Sequence, residues 1–166
     1  MFIEMKVSGL TMDHITNTPI VILKDLEEKK AIPIWIGIFE ASAIATEIEK
    51  ITFSRPMTHD LLNETLKALG AVVLRVEIHD LRNNTFFANI QLLTAGKEIV
   101  IDARPSDAIA IALRASAPIF VDSKVIEKSR NVDFGTKMTD LDRLKKEKLA
   151  EFLENLSPED FGKYKM

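Results

Sequence analysis

Stretches in which apolar and polar residues alternate cover much of the chain, and a period of two residues is typical of half-buried β-strands. Such stretches predict strands at residues 2–12, 19–24, 31–36, 72–80, 85–94, 97–102 and 118–122. Pro33 has no backbone N–H to donate, so the third strand should lie at an edge or a strand end. Tight turns are predicted at Asn83 and Asn84 and at Ala95 and Gly96, which would make hairpins of the strands between 72 and 102.

Three other segments carry apolar residues at helical spacing. They predict helices at residues 37–51, 58–69 and 106–115, and a single helical turn is expected at 124–129. The order of these elements predicts an α+β fold. A mixed or antiparallel sheet with β-hairpins would pack against the three main helices, and a helical appendage would follow at the C-terminus.

A polar break at residues 131–137 separates this pattern from the end of the chain. Beyond it, residues 139–156 show a narrow apolar stripe on an otherwise charged helical pattern. We therefore predict one domain at 1–130 and a charged helical extension at 131–166.

The composition narrows the class of protein. Of the 166 residues, 46% are hydrophobic and 28% are charged, as in a globular protein. There is no cysteine, which excludes disulfides and cysteine-based zinc sites, and the net charge of −3 argues against coating nucleic acid through bulk positive charge. Neither a signal peptide nor a membrane span is indicated, so a cytoplasmic protein without a membrane partner is expected. Abundant Lys and Glu, with Gln91 as the only glutamine, indicate a heat-loving source.

Two similar motifs stand at the start of predicted helices. One reads RPMTHD from Arg55 and the other reads RPSD from Arg104, so each combines Arg-Pro, a hydroxyl residue and an acid. Thr58 and Ser106 are expected to cap the helices. An arginine beside a helix N-terminus also suits phosphate, so all four residues are candidate phosphate ligands, and the two motifs are expected to share one cleft. Alternatively, the arginines only pair with nearby carboxylates and hold the two motifs together.

Several carboxylates lie near the predicted strand–helix junctions. They are Glu40, Asp60, Asp102 and Asp107. If these carboxylates converge in a cleft, they would bind magnesium or manganese, because both ions prefer oxygen ligands. If they lie apart, each would interact only with the dipole of its own helix. His59 lies in a first helical turn and is a candidate general acid or base, or else a surface residue.

Longer motifs resemble one family in their order along the chain. They are IWIGIFEA at 34–41, RPMTHDLL at 55–62, DARPSDAIA at 102–110 and PIFV at 118–121. On these motifs the chain is similar to the bifunctional nuclease domain family of bacteria, archaea and plants, over about residues 2–129. The resemblance implies hydrolysis of RNA or DNA with nucleic acid as the substrate.

Two hypotheses follow. As a nuclease, the protein would hold Mg²⁺ or Mn²⁺ on the four carboxylates, bind phosphate with the two arginines and need no organic cofactor. Its catalytic residues would be Glu40, His59, Asp60 and Asp107. As a non-catalytic oligomeric module, it would bind a small anionic ligand or a protein partner. A homo-oligomer, most simply a dimer, is expected because apolar runs such as residues 32–36 exceed what one small core covers.

Overall fold

The computed structural model describes residues 1–130, and within that range seven strands form one sheet and four helices accompany it. The strands are β1 (Phe2–Asp13), β2 (Thr18–Asp25), β3 (Ala31–Trp35), β4 (Val72–Arg82), β5 (Thr85–Thr94), β6 (Lys97–Ala103) and β7 (Ile119–Asp122). The helices are α1 (Ile38–Ile48), α2 (Thr58–Ala68), α3 (Pro105–Ala115) and α4 (Ser123–Arg130). The predicted α+β class is confirmed. The predicted extension at 131–166 lies outside the described residues.

The sheet consists of two three-stranded meanders joined by a late strand. Its order is β3-β2-β1-β7-β4-β5-β6, and every neighbouring pair is antiparallel except β4 and β7, which are parallel. Asn83 and Asn84 have φ of 49° and 59°, and Ala95 and Gly96 have φ of 47° and 72°, as two-residue hairpin turns require. The mixed sheet and both turns were therefore correctly predicted.

The two ends of the sheet differ in how they are protected. Strand β3 forms one edge, as Pro33 predicted, and α4 packs against it. Strand β6 forms the other edge, and its residues from Lys97 to Asp102 are all exposed. The β6 edge therefore leaves a row of backbone donors and acceptors without a neighbouring strand among residues 1–130.

The core lies between the sheet and the helices α1, α3 and α4, and α4 contributes Val125 and Ile126. Helix α3 buries its small and branched side chains from Ala108 to Ala112 against β4 and β5, and α1 packs on α3 through residues such as Ile44. Small residues at the contact let helix and sheet approach closely. Helix α2 lies outside this layer on α3, so Leu61 and Leu62 stay exposed.

The predicted capping roles of Thr58 and Ser106 were wrong. The N-cap residues are Met57 and Arg104, so both hydroxyl residues already belong to their helices. Pro105 occupies the first helical position, where its fixed φ and missing N–H cost nothing. The N-cap is therefore the preceding residue, Arg104. Helix α4 is also longer than the single turn that was expected.

Candidate active site

Each of the first three helices carries an acid at its third helical position. The N-caps are Gly37, Met57 and Arg104, so these acids are Glu40 in α1, Asp60 in α2 and Asp107 in α3. A carboxylate in the first turn is favoured by the positive end of the helix dipole. The same local preference therefore places a carboxylate at three helix starts, and tertiary packing decides what each one meets.

Arg104 bridges two of these acids, Glu40 and Asp107, and Asp107 in turn contacts His59. Arg104 donates from Nη1 to Glu40 Oε1 at 2.8 Å and from Nε to Asp107 Oδ2 at 2.9 Å. The other oxygen of Asp107 lies 2.8 Å from His59 Nε2. We call Glu40, Arg104, Asp107 and His59 the network, and it links the starts of α1, α3 and α2.

The charge of Arg104 is secured by its partners. Hydrogen bonds to Asp107 and then to Glu40 raise the pKa of the guanidinium above its usual high value. Its side chain is nevertheless 66% exposed, while Glu40 and His59 are only 17% and 15% exposed. The most exposed group of the network is therefore the charged guanidinium, while the Glu40 carboxylate and the His59 imidazole lie deeper.

The third acid has a separate partner. Asp60 accepts from Arg114 Nε at 2.7 Å and from the backbone N–H of Met57 at 3.0 Å. Burial alone would raise the pKa of Asp60, but the two hydrogen bonds outweigh it and lower the pKa. Arg114 is only 5% exposed and also donates from Nη1 to the carbonyl of Ala110, so its guanidinium plane is fixed.

A cleft of about 810 Å³ adjoins the network. Its polar walls include all four network residues, together with Thr58 and Arg114. Its apolar walls come from α1, the loop before α2, α2 and the sheet. They include Phe39, Ala43, Phe53, Met57, Leu62, Ile90, Ile101 and Ala103. The cleft thus joins a charged patch to a larger apolar surface.

The two Arg-Pro motifs meet at this cleft, but their members do not contribute equally. His59 and Arg104 line it, as expected for a shared cleft. Arg55 is exposed, forms no ion pair with another residue of 1–130 and is not part of the cleft wall. Ser106 is buried within α3 and is also absent from the wall, because the cap position passed to Arg104.

Asp102 lies at the rim on strand β6. Its neighbours Ile101 and Ala103 are in register with the buried residues Ile90 and Ala88, and all four face the helices. Alternation along the strand turns the Asp102 side chain to the opposite face, in register with Asn89. Asp102 nevertheless belongs to the same cleft wall as Glu40 and Asp107, although it forms no hydrogen bond or ion pair with the network residues.

Arg114 was missed as a site residue by the sequence analysis. It follows Asp107 by seven positions, which places both side chains on one face of α3. That spacing was a usable signal, but its partner Asp60 is 54 positions away and no local pattern links the two residues.

A divalent ion such as Mg²⁺ would need oxygen ligands that converge on one point. Among residues 1–130, no group of three or more His, Asp and Glu side chains is arranged to hold a metal ion. Glu40 and Asp107 both accept from Arg104, whose guanidinium lies where a shared cation would need to bind. As arranged here, the residues do not fit a divalent ion, and the ion stays a prediction from the sequence.

The fold and the cleft define a class of protein: an α+β domain with a histidine, carboxylate and arginine network at converging helix N-termini. The bifunctional nuclease domain matches residues 21–133, and the chain belongs to the bifunctional nuclease domain family.

Relatives extend this comparison. A protein of Mycobacterium tuberculosis, named only as uncharacterized, is 37% identical over 164 residues, which cover 95% of this chain and 97% of the relative. Bifunctional nuclease 1 of Oryza sativa subsp. indica is 27% identical over 97 residues, or 57% of this chain and 29% of the plant protein. Within residues 1–130 there is no helix with the length and apolar character that a membrane crossing needs.

Proposed function

We propose that the protein hydrolyses phosphodiester bonds in nucleic acid. The observation that carries the proposal is the 2.8 Å contact between His59 Nε2 and Asp107 Oδ1 beside the exposed guanidinium of Arg104. It supports the two functions that such a reaction needs, namely transfer of a proton and stabilisation of negative charge on phosphate. The name of the plant relatives, bifunctional nuclease, supports the same reaction.

Each network residue has a role in the proposed reaction. Asp107 accepts a hydrogen bond from His59 Nε2–H and orients the ring, which leaves Nδ1 to take a proton from the attacking water. As the water oxygen bonds to phosphorus, the bond from phosphorus to the leaving sugar oxygen breaks, and that oxygen takes a proton from solvent. Arg104 binds the phosphate oxygens through the part of its guanidinium that faces solvent. Glu40 holds Arg104 from the other side. Attack by water uses no group of the sugar, so both RNA and DNA can be substrates.

The test is cleavage of labelled RNA and DNA strands by purified protein. His59→Gln should lower the rate by about a hundredfold or more, the usual size of a general acid–base contribution. His79→Gln is the matched control, because His79 lies on β4 and does not line the cleft. Cleavage that is equal in wild type and His59→Gln would come from a contaminant or another site and would overturn the proposal.

A second candidate is a non-catalytic module that binds an anion. It is favoured by the pairing within the network, in which Arg104 donates to two carboxylates and Asp107 also contacts His59. A structural ion-pair cluster has this appearance. The same assay separates the two candidates, because the module would bind labelled strands without cutting them.

We also propose that the protein is a homodimer, supported by the open β6 edge. Ile99, Val100 and Ile101 are exposed there and no proline or charge interrupts them. The opposite edge, at β3, carries Pro33, which has no backbone N–H to donate, and α4 packs against this strand. Two identical edge strands that pair antiparallel form a closed two-fold interface, so a second copy is the partner that satisfies this edge.

A further inference from the structure

The cleft is larger and more apolar than binding of a phosphate group requires. Its four network residues are joined by contacts of 2.8 to 2.9 Å, so they form one continuous polar patch. The remaining wall is mostly aliphatic and aromatic, and its volume of about 810 Å³ lies within the range of small-molecule sites, roughly 300–1,000 Å³. A ligand that fills the cleft therefore has an anionic part and a flat or bulky apolar part.

We propose that the cleft receives an unpaired nucleobase while the adjoining phosphate lies on Arg104, so that the substrate is single-stranded nucleic acid. This inference rests on the proposed function and names its substrate class. A nucleobase has apolar faces and a polar edge, and the cleft offers surfaces for both. A base within a duplex is stacked and paired, so it cannot enter a cleft without leaving the helix.

Aromatic residues provide the surface for the faces of the base. Phe39 is 74% exposed although it stands at the second position of α1, directly before Glu40 of the network, and Phe53 also lines the cleft. An exposed phenylalanine beside a phosphate-binding arginine is the combination found where single strands bind by stacking. Stacking tolerates every base, which agrees with a substrate chosen by strandedness and not by sequence.

Arg114 provides the polar group for the edge of the base. It is the cleft residue whose charge is deepest, at 5% exposure, and Asp60 and Ala110 hold its guanidinium in place. The hydroxyls of Ser42 and Thr46 donate to carbonyls of their own helix, to Ile38 and Ala43 respectively. The fixed donors of Arg114 are thus suited to the ring nitrogens or carbonyl oxygens, since every base carries at least one such acceptor.

Binding is measured separately from cleavage. In the His59→Gln background, which should slow turnover about a hundredfold or more, fluorescence anisotropy compares one labelled DNA strand, the same strand in a duplex, and an abasic strand of equal length. We expect the single strand to bind about tenfold more tightly than either of the others, the effect of one stacked base. Equal affinity for all three would overturn the inference.

Filling the cleft is the decisive test. Ala43→Leu reduces its volume from α1, and Leu62→Trp does so from an exposed position, where folding is not at risk. Both should lower affinity for the single strand about tenfold and leave the abasic strand unaffected. Leu69→Trp is the control, since Leu69 is exposed and lies outside the cleft wall.

The two proposals fail in different ways. If the wild type cleaves nothing but the filled variants lose single-strand binding, the proposed hydrolysis is wrong and the base-binding cleft stands. If the wild type cleaves single strand and duplex at equal rates and the filled variants match it, hydrolysis stands and the inference is wrong. Loss of binding to all three probes by both filled variants, with unchanged folding, would also contradict it, because the effect would not depend on the base.

Discussion

Gly37 leaves open the space that the Glu40 carboxylate occupies, since a Cβ atom at residue 37 would collide with Glu40 Oε2. Gly37 is the N-cap of α1 and has an ordinary extended backbone, so its dihedral angles do not require glycine. The absence of a side chain instead allows the carboxylate to turn back over the helix start, from where it reaches Arg104.

Gly37→Ala should therefore act through Glu40. The added methyl group displaces the carboxylate, weakens its hydrogen bond to Arg104 and raises the KM for nucleic acid by several-fold. A double-mutant cycle with Glu40→Gln measures this dependence, because the effects of two residues in contact do not add. Additive effects would show that Gly37 acts on the helix alone.

Arg104→Lys should weaken substrate binding although it keeps the charge. A lysine cannot span Glu40 and Asp107 with two separate donors in a fixed plane, as the guanidinium does at 2.8 and 2.9 Å. We expect KM to rise about tenfold and kcat to change less, since His59 keeps its contact with Asp107. Steady-state kinetics on a labelled single strand measure KM and kcat. An unchanged KM would show that Arg104 does not bind the phosphate.

Asp60 should make the stability of the domain depend on pH in the acid range. Its pKa lies below the ordinary value of 3.8 in the folded state, so the unfolded chain takes up the proton first. The stabilisation is complete above about pH 4 and is lost as the pH falls through the lowered pKa. Urea unfolding should show a difference between wild type and Asp60→Asn at neutral pH that shrinks towards low pH. If the difference in the free energy of unfolding between the two proteins stays constant with pH, the contact between Asp60 and Arg114 does not depend on the charge of the carboxylate.

The sequence predicted the local elements well because their signals are local. The alternation of β4, the two asparagines of its hairpin turn and the Ala/Ile pattern of α3 each act over a few residues. The candidate residues at helix starts were also visible. Their pairing was not, because Asp107 meets His59 across 48 positions and Arg114 meets Asp60 across 54. Such contacts depend on how the helices pack, and one sequence does not record that.

Cleavage should persist in EDTA if the network acts as arranged. Arg104 already pairs with both Glu40 and Asp107 and lies between them, so no ion is needed to bring these two carboxylates together. The assay compares cleavage rates in EDTA, Mg²⁺ and Mn²⁺, with His59→Gln as the background control. Activity that appears only with Mg²⁺ or Mn²⁺ would instead support the ion-dependent reaction predicted from the sequence, and Arg104 would then have to release both carboxylates.

Val100→Lys should convert the proposed dimer into a monomer. Val100 is 62% exposed at the centre of the β6 edge, and a lysine on an edge strand opposes pairing. In an antiparallel pair related by a two-fold axis, the new charges of the two copies come close together, and like charges across a strand pair are destabilising. Val72→Lys is the control, because Val72 is equally exposed at the start of β4, away from the edge.

Light scattering at micromolar concentration gives the mass of each variant. We expect a dimer for the wild type and Val72→Lys, a monomer for Val100→Lys, and similar thermal unfolding of the folded domain in all three. A chain ending at Asn131, which the sequence predicts to fold alone, tests whether the segment beyond it covers β6 instead of a second copy. If the wild type is monomeric and the shortened chain becomes dimeric, the β6 edge is covered from within the same chain and the dimer proposal is wrong.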